Sequence, residues 1–417
     1  MRSTLIARVA AHPLFLCGFR PFYLATAGYA VLLLAAWMAF LAGLLPMPDV
    51  AGGLLAWHVH ELIYGFALAS VAGFLLTAVP EFTGCGIVDR QRLLGLALLW
   101  LLGRLAFWLS GAVTIWPAAL FNLGLLLWLL TLLAPAVLRD PARAHMSFVY
   151  ALTALAAVQA GFFLAVGRDA DPMPWLQAAG GVLMILLVIA MSRISMRLIN
   201  GMLEGEGVVG VEYLARPPRR NLAMFAIALH TASELWLPDN PVIGWLALAA
   251  AAAMFNLLND WHIGRALFNR WIFMLYGVYW LMALGYGLMG LSLLAGWPMV
   301  SAGRHLLLAG AMSLAILAVM AVAGRIHAGH WLDRRPWVPI AAGLIALGAL
   351  LRAAAALPQS GGFGHGLLAL SGLAWAGGFA LYLAYSWRVL AGPRPDNAQG
   401  CSEPARNEDT PAGEFAC

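Results

Sequence analysis

Residues 54–79 read LLAWHVHELIYGFALASVAGFLLTAV. At 1.5 Å of rise per residue, a helix of about twenty residues crosses a hydrocarbon layer of roughly 30 Å, and this run is long enough. It does not alternate polar and apolar positions, and neither does LLLWLLTLL at 125–133, which argues against the tilted strands of a β-barrel wall. With no water in the hydrocarbon to satisfy backbone amides, helices remain. Working outward, comparable runs recur near 24–45, 93–111, 113–138, 146–166, 176–199, 220–237, 241–258, 271–295, 303–324, 337–357 and 364–390. The sequence therefore predicts an all-α fold, a polytopic membrane helix bundle of about twelve transmembrane helices. Composition agrees: 63% of residues are hydrophobic, 10% are charged and mean hydropathy is +0.84. A soluble domain carries about a quarter charged residues.

Three segments are expected: a cytoplasmic or interfacial stretch 1–23, one membrane domain 24–390, and a tail 391–417. The tail is rich in Pro, Asp, Glu, Asn and Gly without an apolar period, so disorder is expected there. Arg2, Arg8 and Arg20 flank only a weak apolar stretch with no sharp small-residue cleavage site, so no cleaved signal peptide is expected.

All 24 basic residues are Arg. With a cytoplasmic N-terminus, the inner segments hold Arg2, Arg8, Arg20, Arg90, Arg92, Arg139, Arg143, Arg193, Arg197, Arg216, Arg219, Arg220, Arg265, Arg270, Arg325, Arg334, Arg335, Arg388, Arg394 and Arg406. Arg104, Arg168, Arg304 and Arg352 fall elsewhere. Excess Arg in short cytoplasmic loops orients membrane spans, so both termini are expected inside. The positive charge is topogenic, and a pI near 9.2 implies no nucleic acid partner. Cys17, Cys85, Cys401 and Cys417 form no closely spaced pair and map to the inner side, which disfavours disulfides and thiolate metal sites.

Ionisable groups inside spans cost about 2.5 to 3.5 kcal/mol at a helix centre, so each is a functional candidate. His58, His60 and Glu61 open the second span on the outer side, and His305 beside Arg304 opens the tenth. His365 opens the twelfth, and His230 lies in the outer half of the seventh with Glu234 one turn further out. Imidazole is a common ligand of haem iron and copper, so a shared outer site is one reading; an interfacial belt beside Trp57 is the other. At about 100° per residue His58 and His60 point apart and cannot serve one metal. Glu61 and Tyr64 share a face, as do His60 and Tyr64. On the inner side His327 and His330, if helical, would chelate one metal at i, i+3; a dipole and headgroup role is equally open. Arg104 lies mid-span and requires a partner, for which Glu61 and Glu234 are the carboxylate candidates.

The stretches GFRPFYLATAGYA, WHVHELIYGFALASVAGFLLTAVPEFTG and HLLLAGAMSLAILAVMAVAGRIHAGH together resemble the NnrS family of bacterial membrane proteins. The resemblance implies twelve helices, haem b and copper as cofactors, a bacterial cytoplasmic (inner) membrane location and a part in the nitric oxide response, nitrosative stress and denitrification. By it His58, His60 and Glu61 match the second-span motif; His305, Arg325, Gly329 and His330 match the tenth; Arg20 and Pro21 match the entry motif. His327 stands where a small residue is expected, and SRISMRLINGM lacks an expected Pro, which bears on Arg193 and Asn200.

The expected function is binding or reductive detoxification of nitric oxide, with a nitric oxide reductase-like activity as the enzymatic form. His58, His60 and His305 are the leading ligands, with His230, His365 and His330 as further metal ligands and Arg20, Arg104 and Arg325 at the cofactor. Glu61, Tyr64 and Glu234 are the candidates for moving protons, and reduction needs an electron donor in the membrane or periplasm. The rivals are a transporter of a metal or small solute, and a metal-free assembly partner of a denitrification enzyme. No repeat between the halves is evident by eye.

Overall fold

The computed structural model describes residues 2–205, 207, 210–357 and 363–401. Over these residues the chain is helical, and it divides into two compact units. One comprises Met1–Ala179, His327–His330 and Leu383–Pro404; the other comprises Gly180–Ile326 with Trp331–Tyr382. Hydropathy predicts a single membrane domain because it records affinity for lipid and not which helices touch.

The first unit begins with a short helix α1 (Arg2–Ala10), then α2 (Phe19–Leu41), α3 (Gly53–Thr83), α4 (Arg90–Trp108), α5 (Trp116–Arg139) and α6 (Met146–Val166). Here α2 packs on α3, α4 on α5, and α5 on α6. Helix α7 (Met173–Gly205) contains the boundary between the units. The second unit continues with α8 (Pro217–Trp236), α9 (Val242–Leu258), α10 (Arg270–Ala295), α11 (Val300–Ile326) and α12 (Trp337–Ala355). Helix α10 packs on α9 and α11. The last helix, α13 (Gly364–Ala391), contributes its end to the first unit.

Eleven of the described helices are long and apolar enough to cross a membrane. The expected seventh span is present as the 20-residue helix α8, but Arg219, Arg220, Asn221, His230 and Glu234 leave it more polar than the rest. In α3 and α11 the best apolar window is 83% buried, which makes them the most enclosed spans. Small residues allow this closeness. A Cβ on Gly285 would lie 2.7 Å from Leu307 and 3.0 Å from the Gly303 carbonyl.

Both enclosed helices depart from α geometry just after a histidine. Residues Glu61–Ala67 of α3 and Leu306–Met312 of α11 form π-helical turns. Such turns release carbonyls from the regular ladder and concentrate at functional sites. In α3 the Gly65 carbonyl accepts from Trp100 Nε1 at 2.9 Å, and that of Phe66 from Thr26 Oγ1 at 3.5 Å.

Two expectations, a disordered segment from residue 391 onward and unpaired cysteines, meet a different arrangement among the described residues. Residues 391–401 are folded: Arg20 Nη1 donates to Gly392 O at 2.7 Å, and the buried Arg394 holds Asp396 through both its Nε and Nη2. The rest of the expected tail lies outside the described residues. Cys17 and Cys401 are paired as a disulfide with Cα atoms 5.6 Å apart. A separation of 384 residues leaves no spacing signal to read, and only folding brings them together.

Candidate functional site

The first turns of α3 send their polar residues in different directions. His58 stacks on Trp37, ring centroids 3.9 Å apart. His60 turns into the first unit, among Phe107 at 4.5 Å, Phe162 at 4.8 Å, Tyr64 at 5.0 Å and Phe163 at 5.5 Å. The divergence of the two histidines follows from helical pitch. Both His60 and Glu61 are 0% exposed.

Glu61 organises the cluster. Its Oε1 accepts from Arg104 Nη1 at 2.7 Å and lies 3.1 Å from His60 Nδ1; its Oε2 accepts from the Tyr29 hydroxyl. The Arg104 guanidinium, 3% exposed, also donates to Asn122 Oδ1. Asn122 is fixed in turn by donating to Ala118 O at 2.8 Å, and Trp108 Nε1 donates to the Tyr29 hydroxyl at 3.0 Å. Gly65 is required here, because a Cβ would come within 2.8 Å of Arg104 Nη1. With Nδ1–H donated to the carboxylate, the His60 lone pair lies on Nε2, 3.5 Å from Gln159 Nε2. In the chain Arg104, Glu61, His60 the carboxylate links the guanidinium to the imidazole and fixes the ring's tautomer. Tyr64 stands aside, its hydroxyl donating to Leu155 O at 3.2 Å.

The second unit holds a separate cluster. Glu234 pairs with Arg304 through two hydrogen bonds, at 2.5 and 3.2 Å. One turn before Glu234, His230 is 2% exposed, neither of its ring nitrogens has a hydrogen-bond partner among the described residues, and its ring meets Tyr286 edge-on at 5.5 Å. His305 is half-buried, and its Nδ1 lies 2.7 Å from the Ser301 carbonyl one turn earlier. That bond commits the proton to Nδ1 and leaves the lone pair on Nε2. The Arg352 charge lies within electrostatic reach of this ring.

The remaining candidates are dispersed. Helix α11 ends at Ile326 and Gly329 takes φ +84°, so His327 and His330 are not on one helical face and the expected chelate does not form. His327 instead pairs with Glu81 at 3.5 Å, and His330 is half-buried in the connection that follows. Arg325 donates to Trp331 O at 2.6 Å and pairs with Asp333 at 3.5 Å. Asp333 lies between spans; burial pushes its carboxyl up, but hydrogen bonds from Arg335 and Trp337 and the nearby Arg325 outweigh this and hold it below the usual carboxylate range. Arg20 is buried against the carbonyls of Pro13, Leu390 and Gly392. His365 is exposed at the start of α13.

Sequence reasoning missed Tyr29, Asn122, Gln159 and Trp108. Asn122 and Gln159 carried a signal, since an amide inside an apolar span also needs partners. Tyr29 and Trp108 carried none, being ordinary residues of membrane spans. Among the described residues no group of three or more His, Cys, Asp or Glu side chains is arranged to hold a metal ion.

A family model described as NnrS protein matches residues 13–394. No curated protein matches the chain.

Proposed function

The chain belongs to the NnrS family, as a multi-pass membrane protein related to the nitric oxide response, and from that premise we propose that it binds haem b through His305 and holds nitric oxide there. The observation that carries this reading is the Ser301 carbonyl 2.7 Å from His305 Nδ1, which fixes the tautomer that presents Nε2. A single imidazole with a fixed tautomer would suffice to hold haem iron. Arg352 and Arg304 both act electrostatically on that ring; Arg304 is taken up by Glu234, and Arg352 suits a carboxylate group of a bound cofactor. Bound haem supplies the iron at which nitric oxide coordinates.

The residues of this chain do the rest. Arg304 orients Glu234 through two hydrogen bonds, and His230 offers a buried ring one turn earlier on the same helix. In the first unit Arg104 and Glu61 hold His60 as a proton acceptor at Nε2, with Tyr29 as a second proton donor to Glu61. In the second unit Glu234 and His230 are the groups that would move protons in a reductive turnover, which further needs an electron donor in the membrane or periplasm. Copper finds no comparable cradle, since no three-ligand group converges among the described residues, and no step is assigned to it.

The test is an absorption spectrum and metal content of the detergent-purified protein, with and without dithionite and nitric oxide. A Soret band lost in His305→Ala, restored by imidazole in His305→Gly, and shifted by nitric oxide is the expected result. No Soret band after haem-supplemented expression refutes the reading. A band retained in His305→Ala and lost in His230→Ala or His60→Ala moves the ligand to that residue. Transport keeps one supporting observation, the π-helical turn in the most enclosed helix of each unit. Flux of a metal ion into liposomes, abolished by Glu61→Gln, would favour it.

A further inference from the structure

We propose that Cys17 and Cys401 form a reversible redox clamp, a thiol modification site that closes as a disulfide in an oxidised thiol pool and opens in a reduced one. Their Cα atoms lie 5.6 Å apart, inside the range of about 4.4–6.8 Å that a disulfide spans, and Cys17 is 1% exposed. The approach does not depend on the bond. Arg20 Nη1 donates to Leu390 O and Gly392 O, Arg394 Nη1 donates to His327 O at 2.7 Å, and Arg90 Nη2 donates to Gln399 Oε1 at 2.5 Å. These contacts fold the segment after α13 back over the entry to α2, so the two thiols remain neighbours after reduction. Held neighbours re-form a bond at high effective concentration.

The location points to reversibility. Arg2, Arg8, Arg20, Arg90, Arg92, Arg388 and Arg394 belong to the same end of the chain's helices, the end that the excess of Arg assigns to the cytoplasm. Disulfides there are characteristically transient and redox-sensing, because the thiol pool reduces those that are accessible. The loop before α4 touches the same segment, since Ile87 Cδ1 lies 2.9 Å from where a Cβ on Gly400 would be, and its Cys85 is a free, half-buried thiol.

The chemistry is thiol–disulfide exchange with a low-molecular-weight thiol of the glutathione class. A small thiolate attacks the sulfur of the half-buried Cys401, forming a mixed disulfide there and releasing the buried Cys17, which takes up a proton. A second small thiol then attacks the mixed disulfide, leaving both cysteines reduced and a small disulfide as the oxidised product. Closing is the reverse, with that small disulfide as the two-electron oxidant.

The clamp requires no bound metal and stands apart from the haem reading. It is tested on the full-length protein in membranes equilibrated with oxidised or reduced glutathione, then acid-quenched. Free thiols are blocked with N-ethylmaleimide, disulfides are reduced, and newly exposed thiols are counted by the gel shift of a maleimide-polyethylene glycol. A two-thiol shift is expected in oxidised glutathione and not in reduced, lost in Cys17→Ser and in Cys401→Ser, and kept in Cys85→Ser. Absence of the shift in both buffers, its persistence in reduced glutathione, or its survival in Cys17→Ser overturns the proposal. Peptide mapping of the unmutated oxidised protein guards against misfolded variants: a Cys17–Cys401 cross-linked peptide supports the clamp, and any other pairing refutes it.

Discussion

Glu61→Gln keeps the size of a fully buried side chain and deletes its charge. Arg104 would then sit 3% exposed beside a neutral amide, and one oxygen would have to serve Arg104, His60 and Tyr29 where two serve them now. At the 2.7 Å contact and an effective dielectric of about 20, Coulomb's law gives roughly 6 kcal/mol for the pair. Desolvation of Glu61 offsets part of that, and one-sided removal of a buried partner costs about 3–5 kcal/mol. The expected loss is therefore a factor of about 10² to 10⁴ in the folding equilibrium. Unfolding in detergent would be followed by circular dichroism in a double-mutant cycle with Arg104→Gln. Removing both charges leaves no stranded ion, so the double variant should be more stable than the sum of the single losses predicts, by at least about 2 kcal/mol. Additivity to within about 0.5 kcal/mol would refute the view that Glu61 is there to balance Arg104.

Gly65→Ala places a Cβ 2.6 Å from the Tyr29 ring and 2.8 Å from Arg104 Nη1, and overpacking of this kind costs about 1–3 kcal/mol, readable in the same unfolding assay. His230→Phe exchanges a buried ring with two unpartnered nitrogens for an apolar one; in the cofactor-free protein it should raise stability by about 1 kcal/mol, and a clear loss would show that the ring nitrogens are satisfied. Trp100→Phe strands the Gly65 carbonyl and should lower stability by about 1–3 kcal/mol. Asp333 has its folded pKa depressed, so its contribution is full above its unfolded value near 3.9 and is lost as pH falls toward the folded value. The stability gap between the parent and Asp333→Asn should accordingly stay constant from about pH 5 to 7 and narrow in more acid buffer, as chemical denaturation across pH would show.

The positions of the membrane helices were legible in the sequence because lipid solvation acts on each apolar run separately, and a run such as 54–79 reports its own length and hydropathy. The polar interruptions were legible for the same reason: Glu61, Arg104, His230 and Glu234 stand out against Leu and Ala. Which carboxylate meets which cation was not. Glu61 meets Arg104 and Glu234 meets Arg304 because α3 packs beside α4 and α8 reaches α11, and a choice of neighbours is a property of folded surfaces. The helical reading of RIHAGH failed at Gly329, where a positive φ follows the end of α11. The π-helical turns at Glu61–Ala67 and Leu306–Met312 were invisible to a fixed period of 3.6, since they depend on side chains such as Trp100 meeting the displaced carbonyls from another helix. Cys17 and Cys401 were the plainest case: local spacing decides a helix, but only a chain that returns on itself after 384 residues decides a disulfide.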